Sequence, residues 1–251
     1  SVRTPSRGDD GVGLNLMVLP PRPPLDLPAL IVFQGNPDFD SEQQLSYELG
    51  YRTWPTEGLS LDLTAFYNDY DDLRAVQQRN DLATVVDGYL RIPAMFVNAM
   101  QGRTWGFELA ANWRAADDWR LQLAYSHLRV DLQNQPGFSE LIPVVREGSQ
   151  PRNLISLLSS LDFRPDLEFD LWLYYVGEMP ELAIGTPANV TAVDSYFSVN
   201  ARLGWRPRRD WEWSLVGTHL LGAPHVEYAQ ETYPFPEQAE RAVYGRIKWS
   251  F

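Results

Sequence analysis

The sequence ends in Val243-Tyr244-Gly245-Arg246-Ile247-Lys248-Trp249-Ser250-Phe251, a stretch in which apolar and polar residues alternate. Because successive residues of a strand point to opposite faces, this stretch has one apolar face and one largely basic face. The apolar face carries Val243, Gly245, Ile247, Trp249 and Phe251. Apolar groups outward and basic groups inward are typical of the lipid-facing wall of a membrane β-barrel. An edge strand of a soluble sandwich shows the same alternation and is the alternative.

The same period of two recurs along the chain, and no amphipathic run of helical length competes with it. The longer runs last about nine to eleven residues, which is the length that a tilted strand needs to cross a bilayer. We therefore predict an all-β chain of about ten strands. The predicted strands are the tail of one that ends at Ser6, followed by 43–53, 59–71, 95–114, 119–131, 153–163, 167–177, 195–205, 211–221 and 241–251.

Connections between the predicted strands alternate between short and long. The short ones are 53–58, 115–118, 164–166 and 206–210, and the long ones are 71–93, 132–151, 178–194 and 222–240. Short turns on one rim and long loops on the other are typical of outer-membrane barrels. Tryptophans flank the short turns and the chain end, and indoles favour the layer between lipid and water. These tryptophans are Trp54, Trp113, Trp119, Trp205, Trp211, Trp213 and Trp249.

Composition excludes several classes of protein. The chain has 44% hydrophobic residues but no apolar stretch of the about 18 residues that a membrane helix requires. Its net charge of -12 argues against binding to nucleic acid. The absence of cysteine fits a protein that crosses an oxidising periplasm unfolded, and it removes cysteine nucleophiles from consideration.

Histidines and acidic residues are the candidates for a catalytic or metal site. His219 and His225 lie six residues apart, a spacing that matches no common metal motif. Asp69, Asp71 and Asp72 cluster where a predicted strand meets a long connection, and we interpret them as a solvated acidic rim. We therefore expect no enzyme, cofactor or metal. A ten-stranded outer-membrane protease is the rival hypothesis, and His219 and Asp72 are the residues that it would need.

An ordered series of segments resembles the barrel of TonB-dependent outer-membrane receptors. The segments are Val2–Arg7, Gly35–Phe39, Leu45–Arg52, Ala65–Leu73, Val97–Ala99, Gly106–Leu109, Leu215–Gly217 and Leu220–Leu221. The resemblance covers nearly the whole chain and ends in the terminal strand. The ordered series is more specific to this family than any one of its segments. A passive porin or adhesin barrel and a soluble sandwich module are the remaining alternatives.

The resemblance implies a transmembrane barrel of about 22 antiparallel strands with a plug domain in its lumen. It implies TonB-dependent uptake of a scarce nutrient, such as a ferric siderophore or cobalamin, across the outer membrane of a Gram-negative bacterium. We expect a ferric siderophore or a similar iron chelate, the substrate class most frequent in the family. Residues 1–251 would be the C-terminal part of that barrel, without the plug and the TonB box, and we expect this part alone to be incompetent for transport. Implied partners are outer-membrane lipid, the TonB complex, the plug, a small-molecule ligand and the barrel assembly machinery.

Particular residues acquire roles through this resemblance. It implies that Val243, Ile247, Trp249 and Phe251 form the signal that the assembly machinery reads. The alternation places a set of basic residues inside the lumen near the short turns, where they would face the plug. This set is Arg52, Arg114, Arg120, Arg202, Arg246 and Lys248. The simpler interpretation is that an inward position next to water tolerates any polar residue. Tyr228, Tyr233 and Phe235 are candidates for contact with a ligand.

Overall fold

The computed structural model describes residues 1–21, 26–138, 147–184, 186–221, 225–228 and 237–250, and most of them lie in strands. None of the helices in this part of the chain is long and apolar enough to cross a membrane. The elements are β1 Val2–Arg3, α1 Arg7–Gly11, β2 Gly13–Leu19, β3 Ala29–Gln34, β4 Glu42–Thr56, β5 Leu59–Gln78, a 3-10 helix Asn80–Leu82, β6 Thr84–Val86, β7 Tyr89–Ala116, β8 Trp119–Asn134, β9 Asn153–Arg164, β10 Leu167–Val176, β11 Met179–Ile184, β12 Thr186–Val193, β13 Tyr196–Arg208, β14 Trp211–Thr218, β15 His225–Tyr228, β16 Glu237–Ala239 and β17 Ala242–Trp249.

Ten strands follow one another in a single hydrogen-bonded order, β1-β4-β5-β7-β8-β9-β10-β13-β14-β17. They correspond one for one to the ten strands predicted from the alternation, so the all-β prediction is confirmed. Successive pairs from β8 to β17 are antiparallel. Several bounds were predicted too short: β5 continues to Gln78, β7 begins at Tyr89, and β13 continues to Arg208.

Four of the connections are two-residue turns, at 57–58, 117–118, 165–166 and 209–210. Gly58 has a φ of 84°, a left-handed conformation that glycine adopts without strain. In each turn the carbonyl of the second residue accepts a hydrogen bond from a backbone N–H outside its own hairpin. The donor lies on, or directly after, the strand that pairs with the second strand of that hairpin. The donors and acceptors are Arg114 N to Gly58 O, Asp162 N to Asp118 O, Arg206 N to Asp166 O and Ser250 N to Asp210 O.

The register separates two faces of the sheet from β8 to β17. Residues that are directly opposite on neighbouring antiparallel strands share a face. The apolar face includes Trp119, Leu121, Phe169, Leu171, Leu203, Trp205, Trp213, Leu215, Ile247 and Trp249. The polar face includes Arg120, Ser160, Glu168, Asp170, Arg202, Ser214, Arg246 and Lys248. Trp213 is 45% exposed and Val243 is 66% exposed, so the apolar face is open to its surroundings, as a lipid-facing surface is.

The long connections contain more structure than the sequence predicted. We expected loops there, and the described residues instead form β2, β3, β6, β11, β12, β15, β16, α1 and the 3-10 helix. β3 pairs with β2 and, in parallel, with the first residues of β7, and β11 pairs with β12. Short strands of this kind satisfy their backbone groups through local pairing without a long alternating pattern, which is why period two did not reveal them.

The chain divides into two compact units. The first contains residues 1–46, 68–103 and 132–140, and the second contains 47–67, 104–131 and 141–251. The first unit holds most of the fully buried apolar side chains, namely Ile31, Val32, Phe39, Ala75, Ala94, Ala99 and Met100. In the second unit the described buried apolar residues are Met179, Val193 and Val199. The first unit thus has a conventional hydrophobic core, whereas most apolar side chains of the second unit lie on the apolar face.

Gly106 is required where β7 approaches β8. A Cβ atom at this position would lie 2.0 Å from the carbonyl oxygen of His127 and 2.9 Å from Cζ of Phe66. We expect Gly106→Ala to destabilise the protein by about 2–4 kcal/mol, because a backbone carbonyl must move to relieve the contact. Urea unfolding of the purified full-length protein in detergent micelles measures the effect. Gly50→Ala is the matched control, since nothing lies within 4 Å of its Cβ position. Equal stability of the two variants would contradict the prediction.

Candidate functional site

A network of ion pairs lies on the polar face, centred on Arg202 of β13. Its guanidinium contacts carboxylates on both neighbouring strands: Asp170 at 2.9 Å, Glu168 at 2.5 Å and Glu212 at 3.0 Å. The register explains the meeting, because Arg202 is directly opposite Asp170. Gly204 provides the room, since a Cβ there would lie 2.7 Å from Oε1 of Glu168. The Arg202 side chain is 21% exposed, so these contacts are partly withdrawn from water.

Arg206 extends this network toward the short turns. Its guanidinium lies 2.8 Å from Glu168 and 3.7 Å from Glu212. Lys248 of β17 is directly opposite Glu212, so a further cation lies in the next strand along. Acidic and basic groups therefore alternate across β10, β13, β14 and β17. Glu168 and Glu212 each contact both Arg202 and Arg206, so this cluster is rigid compared with an isolated surface ion pair.

The predicted plug-facing residues fall into two groups. Three are paired with carboxylates of neighbouring strands: Arg52 with Asp62, Arg120 with Asp162, and Arg202 with its three partners. The other three, within the described part of the chain, have no ion pair; they are Arg114, Arg246 and Lys248. The sequence did not reveal the acidic partners. The period-two alternation places these carboxylates on the same face as the arginines. The strand register, which decides which carboxylate meets which arginine, is not visible in the sequence.

A pocket of about 580 Å³ opens in the second unit, between β5, β7, β8, β9 and β10. Its lining includes the carboxylates of Asp62 and Glu108 together with Ser126, Ser156 and Tyr174. Tyr174 is directly opposite Ser156, so both belong to the polar face. Carboxylates and hydroxyls in this arrangement can accept hydrogen bonds from hydroxyl or amine groups of a small molecule.

The acidic rim predicted at Asp69, Asp71 and Asp72 lies in the first unit and is held by hydrogen bonds. Gln135 Nε2 donates to Asp71 at 3.4 Å and to Asp72 at 3.3 Å. Asp72 has a positive φ of 56°, and its carbonyl accepts a bond from Asn98 at 2.7 Å. Among the described residues no group of three or more His, Cys, Asp or Glu side chains is arranged to hold a metal ion.

The two residues required by the protease hypothesis belong to different compact units. Asp72 lies in the first unit, and His219, whose φ is 52°, lies in the second. The backbone N–H of His219 donates to Asn200 at 2.9 Å. For His225 and Tyr228 the structure describes the backbone in β15 but not the side chain. Tyr233, Phe235 and Phe251, also named from the sequence, lie outside the described residues.

A buried carboxylate in the first unit was missed by the sequence reasoning. Asp9 of α1 is 2% exposed and accepts bonds from the backbone N–H of Ser6 at 2.7 Å and from its hydroxyl at 2.8 Å. Arg3 and Arg74 each lie 3.6 Å from the same carboxylate. The hydrogen bonds from Ser6, with help from the two arginines, hold the pKa of Asp9 below its ordinary value, although burial opposes them. Ser6 and Asp9 have the capping-box spacing, so a signal was present in the sequence.

The comparison with known families decides the identity of this architecture. A family model described as TonB dependent receptor-like, beta-barrel matches residues 1–218. The chain belongs to the TonB-dependent receptors. Its place is therefore the outer membrane of a Gram-negative bacterium, as predicted. In such a barrel the apolar face meets lipid and the polar face lines the lumen. No curated protein matches the sequence.

Solved structures of outer-membrane receptors share the fold of this chain. The ferripyoverdine receptor of Pseudomonas aeruginosa is 14% identical, with a TM-score of 0.60, and the match covers 85% of this chain and 28% of that one. The ferric-catecholate import receptor Fiu of E. coli K12 is 19% identical, with a TM-score of 0.61 over 84% and 28%. The ferric enterobactin receptor PfeA of Pseudomonas aeruginosa is 15% identical, with a TM-score of 0.63 over 88% and 33%. The chain thus spans about a third or less of these receptors.

The Asp9 cluster gives this receptor an acid-sensitive contact. Because the folded-state pKa of Asp9 is below the ordinary value of 3.8, its contribution to stability is present above that value and is lost as the pH falls through the folded-state pKa. We expect Asp9→Asn to lower the hydrogen-exchange protection of α1 about tenfold at pH 7, because a charge-assisted acceptor is lost. The difference from the unsubstituted receptor should shrink in strong acid.

Hydrogen-exchange mass spectrometry of the full-length receptor measures this change in protection. Asp81→Asn is the matched control, because Asp81 forms an exposed ion pair with Arg79 and its side chain is 59% exposed. Unchanged protection of α1 in Asp9→Asn at pH 7 would show that the cluster does not hold the helix.

Proposed function

We propose that this receptor takes up a ferric siderophore or a similar iron chelate across the outer membrane, with energy from the TonB complex. The match of residues 1–218 to the receptor barrel carries the proposal. The names of the receptors with the same fold, for ferripyoverdine, ferric catecholates and ferric enterobactin, support an iron chelate as the substrate class. All three are named as receptors, and one of them as an import receptor, which supports transport over the protease hypothesis.

The proposal requires parts of the receptor beyond the residues described here. A plug domain and a TonB box, upstream of residues 1–251, would couple the barrel to the inner membrane. The terminal strand, through Val243, Ile247, Trp249 and Phe251, would be read by the barrel assembly machinery. Ligand contacts would come from the upper lumen, including the pocket that contains Tyr174, and from the outer connections that carry Tyr228, Tyr233 and Phe235.

The basic residues of the lumen would contact the plug in two different ways. The three paired arginines, Arg52, Arg120 and Arg202, are already neutralised by the barrel wall and would present mixed-charge surfaces. Arg114, Arg246 and Lys248 keep their positive charge available, and they would form charge-assisted hydrogen bonds with acidic or polar groups of the plug. Such bonds are strong enough to seat the plug and individually weak enough to break in sequence under a pulling force.

Uptake by the full-length receptor tests the transport proposal. A strain that lacks the receptor and is grown without other iron sources should import a radiolabelled iron chelate only when the receptor and an active TonB complex are both present. A panel of catecholate, hydroxamate and mixed chelates, with cobalamin as a non-iron comparison, identifies the substrate class. Import of cobalamin but of no iron chelate would refute the iron proposal, whereas import that persists without TonB would refute active transport.

Charge reversal in the lumen tests the contact with the plug. We expect the double variant Arg246→Glu and Lys248→Glu to loosen the plug, because attraction is replaced by repulsion of about the same size. Ion conductance through single receptors in a planar bilayer should then rise at least severalfold. Arg164→Glu is the control, because Arg164 pairs with Asp166 beside a short turn and is not among the proposed contacts. Equal conductance in both variants would show that these two residues do not hold the plug.

A further inference from the structure

The pocket of about 580 Å³ between β5, β7, β8, β9 and β10, named the wall pocket, results from small side chains on the polar face. Ala124 of β8 is directly opposite Ser156 of β9, and Ser156 is directly opposite Tyr174 of β10. In the next row of this face toward the short turns, Leu158 and Trp172 are opposite each other and both are large. The wall is therefore recessed at Ala124 and Ser156, with Tyr174 at one side of the recess.

Glu108 of β7 lies at the other side of the recess. The ring of the preceding residue, Phe107, contacts the ring of Tyr125 edge-on at 5.4 Å, and Tyr125 is on the apolar face because it directly follows Ala124. Glu108 therefore lies on the polar face, and it lines the wall pocket. Because β7 pairs with β8 and β10 pairs with β9, Glu108 and Tyr174 border the recess from opposite sides.

The wall pocket has a net negative charge. Its described lining includes the carboxylates of Asp62 and Glu108 and no Lys, Arg or His side chain. The charge of Asp62 is balanced, because Asp62 forms an ion pair with Arg52. Glu108 forms no ion pair within the described part of the chain. Arg114 is six residues along the same strand, which is about 20 Å at about 3.3 Å per residue and beyond the screening length of about 10 Å. The charge of Glu108 is thus available to a ligand.

A carboxylate and an aromatic ring that border one recess are suited to an ammonium group. The carboxylate of Glu108 supplies the opposite charge and accepts charge-assisted hydrogen bonds, and the face of the Tyr174 ring attracts a cation. The hydroxyls of Ser126 and Ser156 can accept the remaining N–H bonds. The volume of the wall pocket lies within the range of small-molecule sites, so it has room for an arm of a ligand as well as for its ammonium group.

We propose that the wall pocket binds the ammonium group of an amine-bearing iron chelate, and that this chelate is of the trihydroxamate type. The inference rests on the transport proposal and names its substrate class. Hydroxamate groups carry one negative charge each and together balance iron(III), so a free amine makes such a chelate cationic. Catecholate groups carry two charges each, so a ferric tris-catecholate is anionic and Glu108 repels it. An anionic chelate would require basic side chains, which the described lining of the wall pocket lacks.

The test compares a ferric linear trihydroxamate that ends in a primary amine with its N-acetylated form, because the two chelates differ only at the amine. Isothermal titration of the purified full-length receptor in detergent micelles measures both dissociation constants, with a ferric tris-catecholate as the anionic comparison. We expect the amine form to bind about tenfold more tightly than the acetylated form, the effect of one charge-assisted contact. Equal affinity for the two forms, or tighter binding of the catecholate, would overturn the proposal.

Substitution of Glu108 assigns the preference to the wall pocket. Glu108→Gln keeps the shape of the side chain and removes its charge, so the amine and acetylated forms should then bind equally. Asp162→Asn is the matched control, because Asp162 is a carboxylate of the same face that pairs with Arg120 outside the pocket, and the preference should remain. Heat-modifiable migration in electrophoresis verifies that each variant is folded. A loss of affinity in Glu108→Gln that is equal for both forms would show that Glu108 holds a cation of the plug, and would overturn the proposal.

The aromatic side of the recess is tested at Tyr174. Tyr174→Leu keeps an apolar side chain but removes the ring, so the preference for the amine form should fall severalfold, whereas Tyr174→Phe should keep it. An unchanged preference in Tyr174→Leu would contradict the assignment of the ammonium group to this recess.

Uptake of the same chelates in a receptor-deficient strain separates this inference from the transport proposal. Import of the amine-bearing trihydroxamate in preference to its acetylated form supports both. Import of catecholates but not of the amine-bearing trihydroxamate would refute this inference and leave iron uptake in place. Import of no iron chelate at all would refute both.

Discussion

Backbone hydrogen bonding is the constraint on which this structure depends. A strand in hydrocarbon has no water to satisfy its amide and carbonyl groups, so each must be paired with a neighbouring strand. In the ten-strand order each strand pairs with the next strand of the series, so the backbone groups between them are satisfied. The side chains are then free to differ between the two faces: large apolar groups where lipid provides the contact, and ion pairs where water and a plug would lie. The scarcity of buried apolar residues in the second unit is a result of this division and does not indicate a weak fold.

Period-two alternation was enough to predict the long strands and the short turns between them, because the strands have a different environment on either side of the sheet. It was not enough for the contacts between strands. Arg202 was correctly placed on the polar face, but its partners Glu168, Asp170 and Glu212 depend on register, and a shift of one pair would have joined different residues. The outer connections were predicted least well. β2, β3 and β11 are short and are held by local pairing and by a buried core, which leaves no periodic trace in the sequence.

The two units use charge for different purposes. In the first, Asp9 is the one buried carboxylate among the described residues, and the donors around it fix the helix α1 against the strands that carry Arg3 and Arg74. In the second, several half-exposed ions on the polar face share partners across strands. The second unit also has an exposed ion pair outside this network, Arg164 with Asp166, and such surface pairs contribute little to stability. Loss of the central residue weakens either arrangement, because Arg74 would lose its ion pair with Asp9 and Asp170 would lose its ion pair with Arg202.

The hydrogen bonds at the short turns have a consequence for how the wall is built. In every hairpin that ends in a two-residue turn, one turn carbonyl is satisfied by a residue of the next strand outside that hairpin, as Gly58 is by Arg114 and Asp210 is by Ser250. A hairpin that has just formed therefore keeps an unfilled acceptor at its tip until its successor docks. Each turn at this rim is thus completed by the strand that follows its hairpin. A shift in the register of the next strand would leave that carbonyl without its backbone donor.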